Sequence, residues 1–266
     1  MKLQITHQTN YAYTELAQST VQYIRMTPMT LAHQTIHSWN IMLPSLAQQQ
    51  RDGFGNIWLT VNRNEPHTDL QIQASGVIEI DPSTAYVEDS LQVPYLLYTL
   101  PTDLTTCDTT MRDFAQPYLA NVSPTLDSLP QLQYFAAALL KMMPYTSHQT
   151  HVGTTAAQAF AQKVGVCQDH THVFLACVRD IGLPARYVSG YLYDAYNNHL
   201  ASHAWAEIWL DGHWYTFDVA NQKFTPSEHV YVAVGRDYLD AAPVRGMRIG
   251  GGYENLFSQV MVTKVS

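Results

Sequence analysis

The chain has 266 residues and carries 14 Lys and Arg against 22 Asp and Glu, a formal charge of −8. At 46% hydrophobic and 11% aromatic it is not a disordered segment, and a chain of this mass can bury about three quarters of its unfolded surface, in one large or two modest domains. Its acidic balance, without a Lys/Arg cluster, argues against a nucleic-acid partner or an anionic membrane surface.

Residues 1 to about 105 read as an N-terminal antiparallel β domain. Short β-branched and aromatic runs alternate with turn clusters, at 4–7, 21–26, 57–61, 70–74 and 77–80. Asp52-Gly-Phe-Gly-Asn56 is a turn signal ahead of one of these strands. The N-terminus shows no apolar core and cleavage site of a secretory signal, and no apolar run approaches the ~18 residues of a membrane span. With an odd number of cysteines (107, 167 and 177) a disulfide framework is not expected, so the expectation is a cytoplasmic protein with no membrane partner.

The second region, 106–266, opens with helices. Apolar spacing predicts them over Thr109–Leu119 and Leu129–Met143, the second stopped by Pro144, and a third lies at about Thr154–Lys163. A fourth follows Gly165. Val173, Phe174, Cys177, Val178 and Ile181 make one apolar face, and Gly182 and Pro184 mark its end. Cys167 therefore falls at the helix start, where unpaired N–H groups and the helix dipole favour a thiolate and can serve an oxyanion. Cys177 falls on the buried face and Cys107 in a polar connector; both read as inert.

Beyond this helix, Ser202 to Asp218 reads as a hairpin, with alternating runs flanking Asp211-Gly212. A two-residue loop there sets Asp218 opposite Trp205. His203, Trp205 and Asp218 then share one face, with Asp218 diagonal to His203. A thiol at a helix start, an imidazole to move its proton and a carboxylate to orient the imidazole form a nucleophilic triad: Cys167, His203 and Asp218. Trp205, next to the site, is a candidate substrate-binding residue. Trp209, Trp214 and Arg186 read as structural, and Gly250-Gly-Gly252 as a turn.

A metal site is the other chemistry these residues raise. Cys167, His170 and His172 could hold zinc, but His172 lies well round the helix from the other two and no second Cys/His pair has zinc-site spacing, so neither metal nor cofactor is expected. Asp169 in the first turn reads as a helix cap.

At these motifs the chain resembles the bacterial transglutaminase-like family of the papain-like thiol superfamily, described as cysteine proteases. The resemblance rests on His7-Gln-Thr-Asn-Tyr-Ala-Tyr13, Asp52-Gly-Phe-Gly-Asn56, Gly165-Val-Cys-Gln-Asp-His-Thr-His172, Leu183-Pro-Ala-Arg-Tyr-Val-Ser-Gly-Tyr191, Ser202-His-Ala-Trp205, Phe217-Asp-Val-Ala-Asn221, Val234-Gly-Arg-Asp-Tyr238 and Pro243-Val-Arg-Gly246. It implies an α+β fold, with a nucleophile helix packed on an antiparallel sheet, and catalytic roles for Cys167, His203 and Asp218. It also implies attack on a peptide or amide substrate through a thioester. Water as acceptor makes a protease or amidase, which is the favoured expectation. An amine makes a protein-glutamine transglutaminase, and loss of activity would leave a binding module. One departure is Val219, where the family has proline; the expected consequence is a looser loop after Asp218.

Overall fold

The computed structural model describes residues 1–88, 93–195 and 202–265. In chain order its elements are β1 (Lys2–Ile24), β2 (Gln34–Met42), β3 (Ala47–Arg51), β4 (Ile57–Arg63), β5 (His67–Ile80), α1 (Thr109–Leu119), α2 (Leu129–Met142), α3 (Ala156–Gln162), α4 (Cys167–Asp180), β6 (Ala185–Leu192), β7 (His203–Leu210), β8 (His213–Phe217), β9 (His229–Gly235), α5 (Tyr238–Ala241), β10 (Val244–Gly250) and β11 (Glu254–Lys264). All strand pairings between them are antiparallel, in two sheets. Among the described residues no helix is long and apolar enough to cross a membrane.

The first sheet is organised by β1. The runs read as separate strands at 4–7 and 21–26 are the two ends of one strand of 23 residues. Its first half buries Leu3, Ile5, His7, Thr9, Tyr11 and Tyr13 on one side, the period of two expected of a half-covered strand. That half lies between β5 and β11; the second half lies between β4 and β10. The change of partners falls at residues 12–19, where the pairings with β5 and β10 shift register. Opposite this bend, Gly250, Gly251 and Gly252 all have positive φ. A Cβ on Gly252 would lie 2.5 Å from Thr14 Oγ1, so the glycine run lets the chain follow the bend from β10 into β11.

The second sheet has the order β8-β7-β6-β9 and is buried on both faces. One face packs Ala206, Ile208, Leu210 and Phe217 against the helices. The other packs Val188, Trp205, Trp214 and Tyr231 against Val87 and Tyr98 of the segment that joins the two regions. β9 ends the sheet, and side chains of the N-terminal region meet part of its free edge. Gln34 accepts from Tyr231 N at 2.7 Å and donates to Tyr231 O at 2.9 Å. Asn56 does the same at Val234, at 2.8 and 2.7 Å. The Asp52–Asn56 turn read from sequence holds this clip: Asp52 Oδ1 accepts from Phe54 N and Asn56 N, and Oδ2 from Asn56 Nδ2.

α4 lies at the centre of the helical layer and contacts α1, α2, α3, β6 and β7. Instead of one apolar face, it is buried all round from Asp169 to Arg179. Main-chain groups meet much of its polar side: His170 reaches Val166 O and Met143 O, and Arg179 reaches Ala185 O and Arg236 O. Ile181, expected on the buried face, is instead the exposed C-terminal cap residue, and Gly182 at φ 85° turns the chain out of the helix.

Candidate active site

α4 begins at Cys167, as the sequence predicts. Its start is fixed by Asp169, whose Oδ2 accepts from Val166 N at 2.8 Å and from Thr150 Oγ1 at 2.7 Å. Gly165 is required here: a Cβ on it would meet Asp169 Cβ at 2.6 Å. Cys167 is the first residue of the helix, at the positive end of its dipole, and the Asp169 carboxylate in the first turn offsets part of that field. The thiol is part-buried. Gln168 turns away, donating to Val152 O at 3.1 Å.

The β7–β8 hairpin turns through Asp211 and Gly212, both at positive φ (44° and 86°), as an Asp-Gly loop requires. Its pairing is the one expected: Ala206 opposite Phe217 and Glu207 opposite Thr216. That register carries Asp218, the next residue, to His203. His203 Nε2 lies 2.7 Å from Asp218 Oδ2, with exposures of 6% and 0%. The Cys167 side chain lies near enough to act on the same ring, favouring its charged form. Since Nε2 is taken by Asp218, Nδ1 is the nitrogen left for the thiol. The three predicted residues are thus brought together in space.

The charges of the site support one another. Burial alone would lower the His203 pKa. The Asp218 charge and hydrogen bond, with the Cys167 side chain, outweigh it and push His203 up to about 10. Burial likewise works against the Asp218 carboxylate, but the His203 charge and hydrogen bonds from His203 and His229 hold it well below the ordinary range. His172, two residues along α4 from His170, is driven down to about 3 by burial and then by Arg179, and its Nε2 faces Tyr238 N.

Three neighbours were not read from the sequence as site residues. Asn221 donates its N–H to Asp218 Oδ1 at 3.1 Å and its Nδ2 to Oδ2 at 3.0 Å. His229 Nε2 lies 3.1 Å from the same Oδ2. Tyr145, half-exposed, bridges to Gly165, stacks on His170, and has its phenol pKa raised by burial and then by Cys167. Among the described residues, the donor atoms close enough to share a metal ion are those of His203, Asp218 and His229, within 4.8 Å of one another. They are the same groups that hydrogen-bond through Asp218. His170 and His172 face main-chain atoms instead of joining Cys167.

Trp205 is fully buried, with its indole 6.0 Å from the His203 ring and 4.6 Å from the His229 ring. The structure places it as packing beneath the triad, not on an open substrate wall, because its face of β7 is covered by Val87, Tyr98 and Tyr231. Arg186 pairs with buried Glu207 at 2.7 Å and lies 4.2 Å from the centre of the Trp214 ring. The loop after Asp218 is not loosened by Val219. Asp218 and Lys223 exchange two main-chain hydrogen bonds, and Val219 is buried in the core. Cys177 is buried and Cys107 part-buried, lining one cavity with Arg112 and Asp180.

Comparison with known proteins bears on the family and the fold. Residues 112–219 match the transglutaminase-like superfamily, and residues 3–79 match the bacterial transglutaminase-like N-terminal region. An uncharacterized protein of Mycobacterium leprae is 29% identical over 100% of this chain and 99% of its own length. One from Mycobacterium tuberculosis (strain H37Rv) is 27% identical over 92% of this chain and 87% of its own. The crystal structure of "a Putative Cysteine Protease from Cytophaga hutchinsonii" superposes with a TM-score of 0.77 at 17% identity, covering 100% of this chain and 92% of that one, a likeness of fold. By these matches the chain carries a bacterial transglutaminase-like N-terminal region ahead of a core of the transglutaminase-like superfamily.

Proposed function

We propose that the protein is a cysteine-dependent acyl-transfer enzyme that hydrolyses a peptide or carboxamide bond, with Cys167 as nucleophile, His203 as proton carrier and Asp218 as its orienting carboxylate. The observation that carries this reading is the chain of contacts from a helix-start thiol through His203 to a buried carboxylate 2.7 Å from its Nε2.

In the reaction, Cys167 Sγ attacks the carbonyl carbon as thiolate, paired with the His203 imidazolium. The oxyanion is met by the Cys167 N–H, unpaired at the first helical residue. The imidazolium gives its proton to the departing amine as the C–N bond breaks, leaving a thioester. Neutral His203 then takes a proton from water, the hydroxide adds to the thioester, and the carboxylic acid leaves as the thiol reforms. Asp218 keeps the ring in the tautomer that presents Nδ1 to sulfur.

The test is turnover of a panel of amide and peptide substrates by wild type and Cys167→Ala, with and without an added primary amine. Cysteine-dependent release of amine or ammonia with water as acceptor is the expected result. Amine incorporation in place of hydrolysis would make the protein a transglutaminase. Full activity in Cys167→Ala would overturn the mechanism. Absence of turnover, with equally slow alkylation of Cys107, Cys167 and Cys177, would leave a binding module.

A further inference from the structure

The triad carboxylate is held by two imidazoles. His229 is the first residue of β9, opposite Leu192 on β6, and is fully buried. Its Nε2 meets Asp218 Oδ2, at 3.1 Å, on the oxygen that His203 Nε2 meets at 2.7 Å. The Trp205 indole packs against both rings, at 4.6 Å from His229 and 6.0 Å from His203, and keeps them on either side of the carboxylate.

A neutral imidazole has one N–H. To donate to Asp218, His229 must carry it on Nε2, which leaves Nδ1 as a bare acceptor. Among the described residues that Nδ1 is buried and has no partner. A ring present only to fill space would forfeit a hydrogen bond there for nothing, whereas a ring needed as a donor at Nε2 is used in the one orientation that supplies it. Asn221 also donates to Asp218, but from a loop. His229 does so from a strand in the middle of the packed interior.

Resting on the triad reading above, we infer that His229 is a positioning residue: its Nε2–H pins Asp218 Oδ2 in the plane that keeps His203 directed at Cys167. It touches neither substrate nor sulfur and acts through Asp218. Without it Oδ2 keeps only His203 and the loop donor Asn221, the carboxylate is no longer held from the strand side, and His203 loses its fixed orientation.

Glutamine places its amide nitrogen near the position of a histidine Nε2; asparagine falls short of it, and leucine has no donor. The expected result is that His229→Leu and His229→Asn lower kcat by about 10- to 100-fold, the cost of a small misplacement of a catalytic group, with KM nearly unchanged. His229→Gln is expected to restore kcat to within a few-fold of wild type. In an Asp218→Ala background, His229→Leu is expected to cause no further loss, since the two act as one unit. Wild-type kcat in His229→Leu, equal impairment in the Gln and Asn variants, or an undiminished loss in the Asp218→Ala background would each overturn the inference. Should the leucine variant fail to fold, the Gln and Asn variants decide. Equal activity of Cys167→Ala and wild type would instead remove the triad reading on which the inference rests.

Discussion

His203 Nε2 and Asp218 Oδ2 lie 2.7 Å apart, fully buried or nearly so, across the β7–β8 hairpin. Two residues, Asp211 and Gly212, set that distance by fixing the pairing of the strands. The same bond shapes the electrostatics: burial pulls the His203 pKa down, and the Asp218 charge more than reverses it, to about 10.

That balance predicts a pH profile. With His203 protonated up to about pH 10, hydrolysis, which draws the leaving-group proton from the imidazolium, should hold through neutral pH and fall as the pH rises through about 10, whereas alkylation of the Cys167 thiolate by iodoacetamide should not fall over that limb. Asp218→Asn removes the largest raising contribution and leaves burial opposed only by Cys167. The alkaline limb should then move to lower pH, and turnover at neutral pH should fall by about 10³-fold or more. The sign for stability follows. A pKa raised above its unfolded value near 6.5 gives stabilisation that is full below pH 6.5 and is lost between there and about 10. Urea unfolding of wild type across that window should show a decline that Asp218→Asn lacks.

Cys167 depends on Asp169 for the start of its helix. Asp169→Ala removes the acceptor for Val166 N–H and for Thr150 Oγ1, and a negative charge from the first turn. The expected loss is about 1–2 kcal/mol in urea unfolding. With that negative charge gone from beside the thiol, alkylation of Cys167 should quicken while that of Cys107 is unchanged. An Asp169→Ala variant as stable as wild type would show that the cap is not what fixes this helix end.

Much of this site was legible because it is local. The Gly165-Val-Cys167 segment and the Asp211-Gly212 loop each specify their own geometry, and the hairpin register delivers the His–Asp pair without knowledge of the fold. His229 was not legible: it meets Asp218 because β9 pairs with β6 through a register shift between Ser189 and Gly190, a long-range event with no local signal. The burial of α4 all round was hidden for the same reason, since its polar residues are met by main-chain groups of other segments. Strand β1 showed its ends but not its continuity, because its polar middle is held by partners more than fifty residues away.

Gln34 and Asn56 clip β9 to the N-terminal region, each by a donor and an acceptor on one β9 residue. Gln34→Ala strands the Tyr231 N–H, the Tyr231 carbonyl keeping Met29 N at 2.9 Å, and Asn56→Ala strands both main-chain groups of Val234. At roughly 1–3 kcal/mol for each unsatisfied group, the expected costs are about 1–3 kcal/mol for Gln34→Ala and about 2–6 kcal/mol for Asn56→Ala. Amide hydrogen exchange should accelerate at Tyr231 in the first variant and at Val234 in the second. Acceleration spread evenly over the sheet would indicate a global effect rather than release of the clip.

The Arg186–Glu207 pair tests how the second sheet tolerates charge. Arg186 Nε and Glu207 Oε2 are 2.7 Å apart at exposures of 3% and 0%. Glu207 Oε1 also accepts from Tyr231 Oη at 2.7 Å, and the guanidinium lies over Trp214. Removing one partner leaves the other charge buried and alone. Arg186→Met and Glu207→Leu should each destabilise by about 3–5 kcal/mol. The double variant removes both charges together and should be clearly more stable than the sum of the single losses predicts, because no unpaired ion is left. Its remaining deficit reports the hydrogen bond that the Tyr231 hydroxyl loses with Glu207, Thr216 staying as its partner at 3.0 Å. Urea unfolding of the four proteins closes the cycle. Strict additivity would mean that the two side chains contribute independently, and that the ion pair is not what organises this face of the sheet.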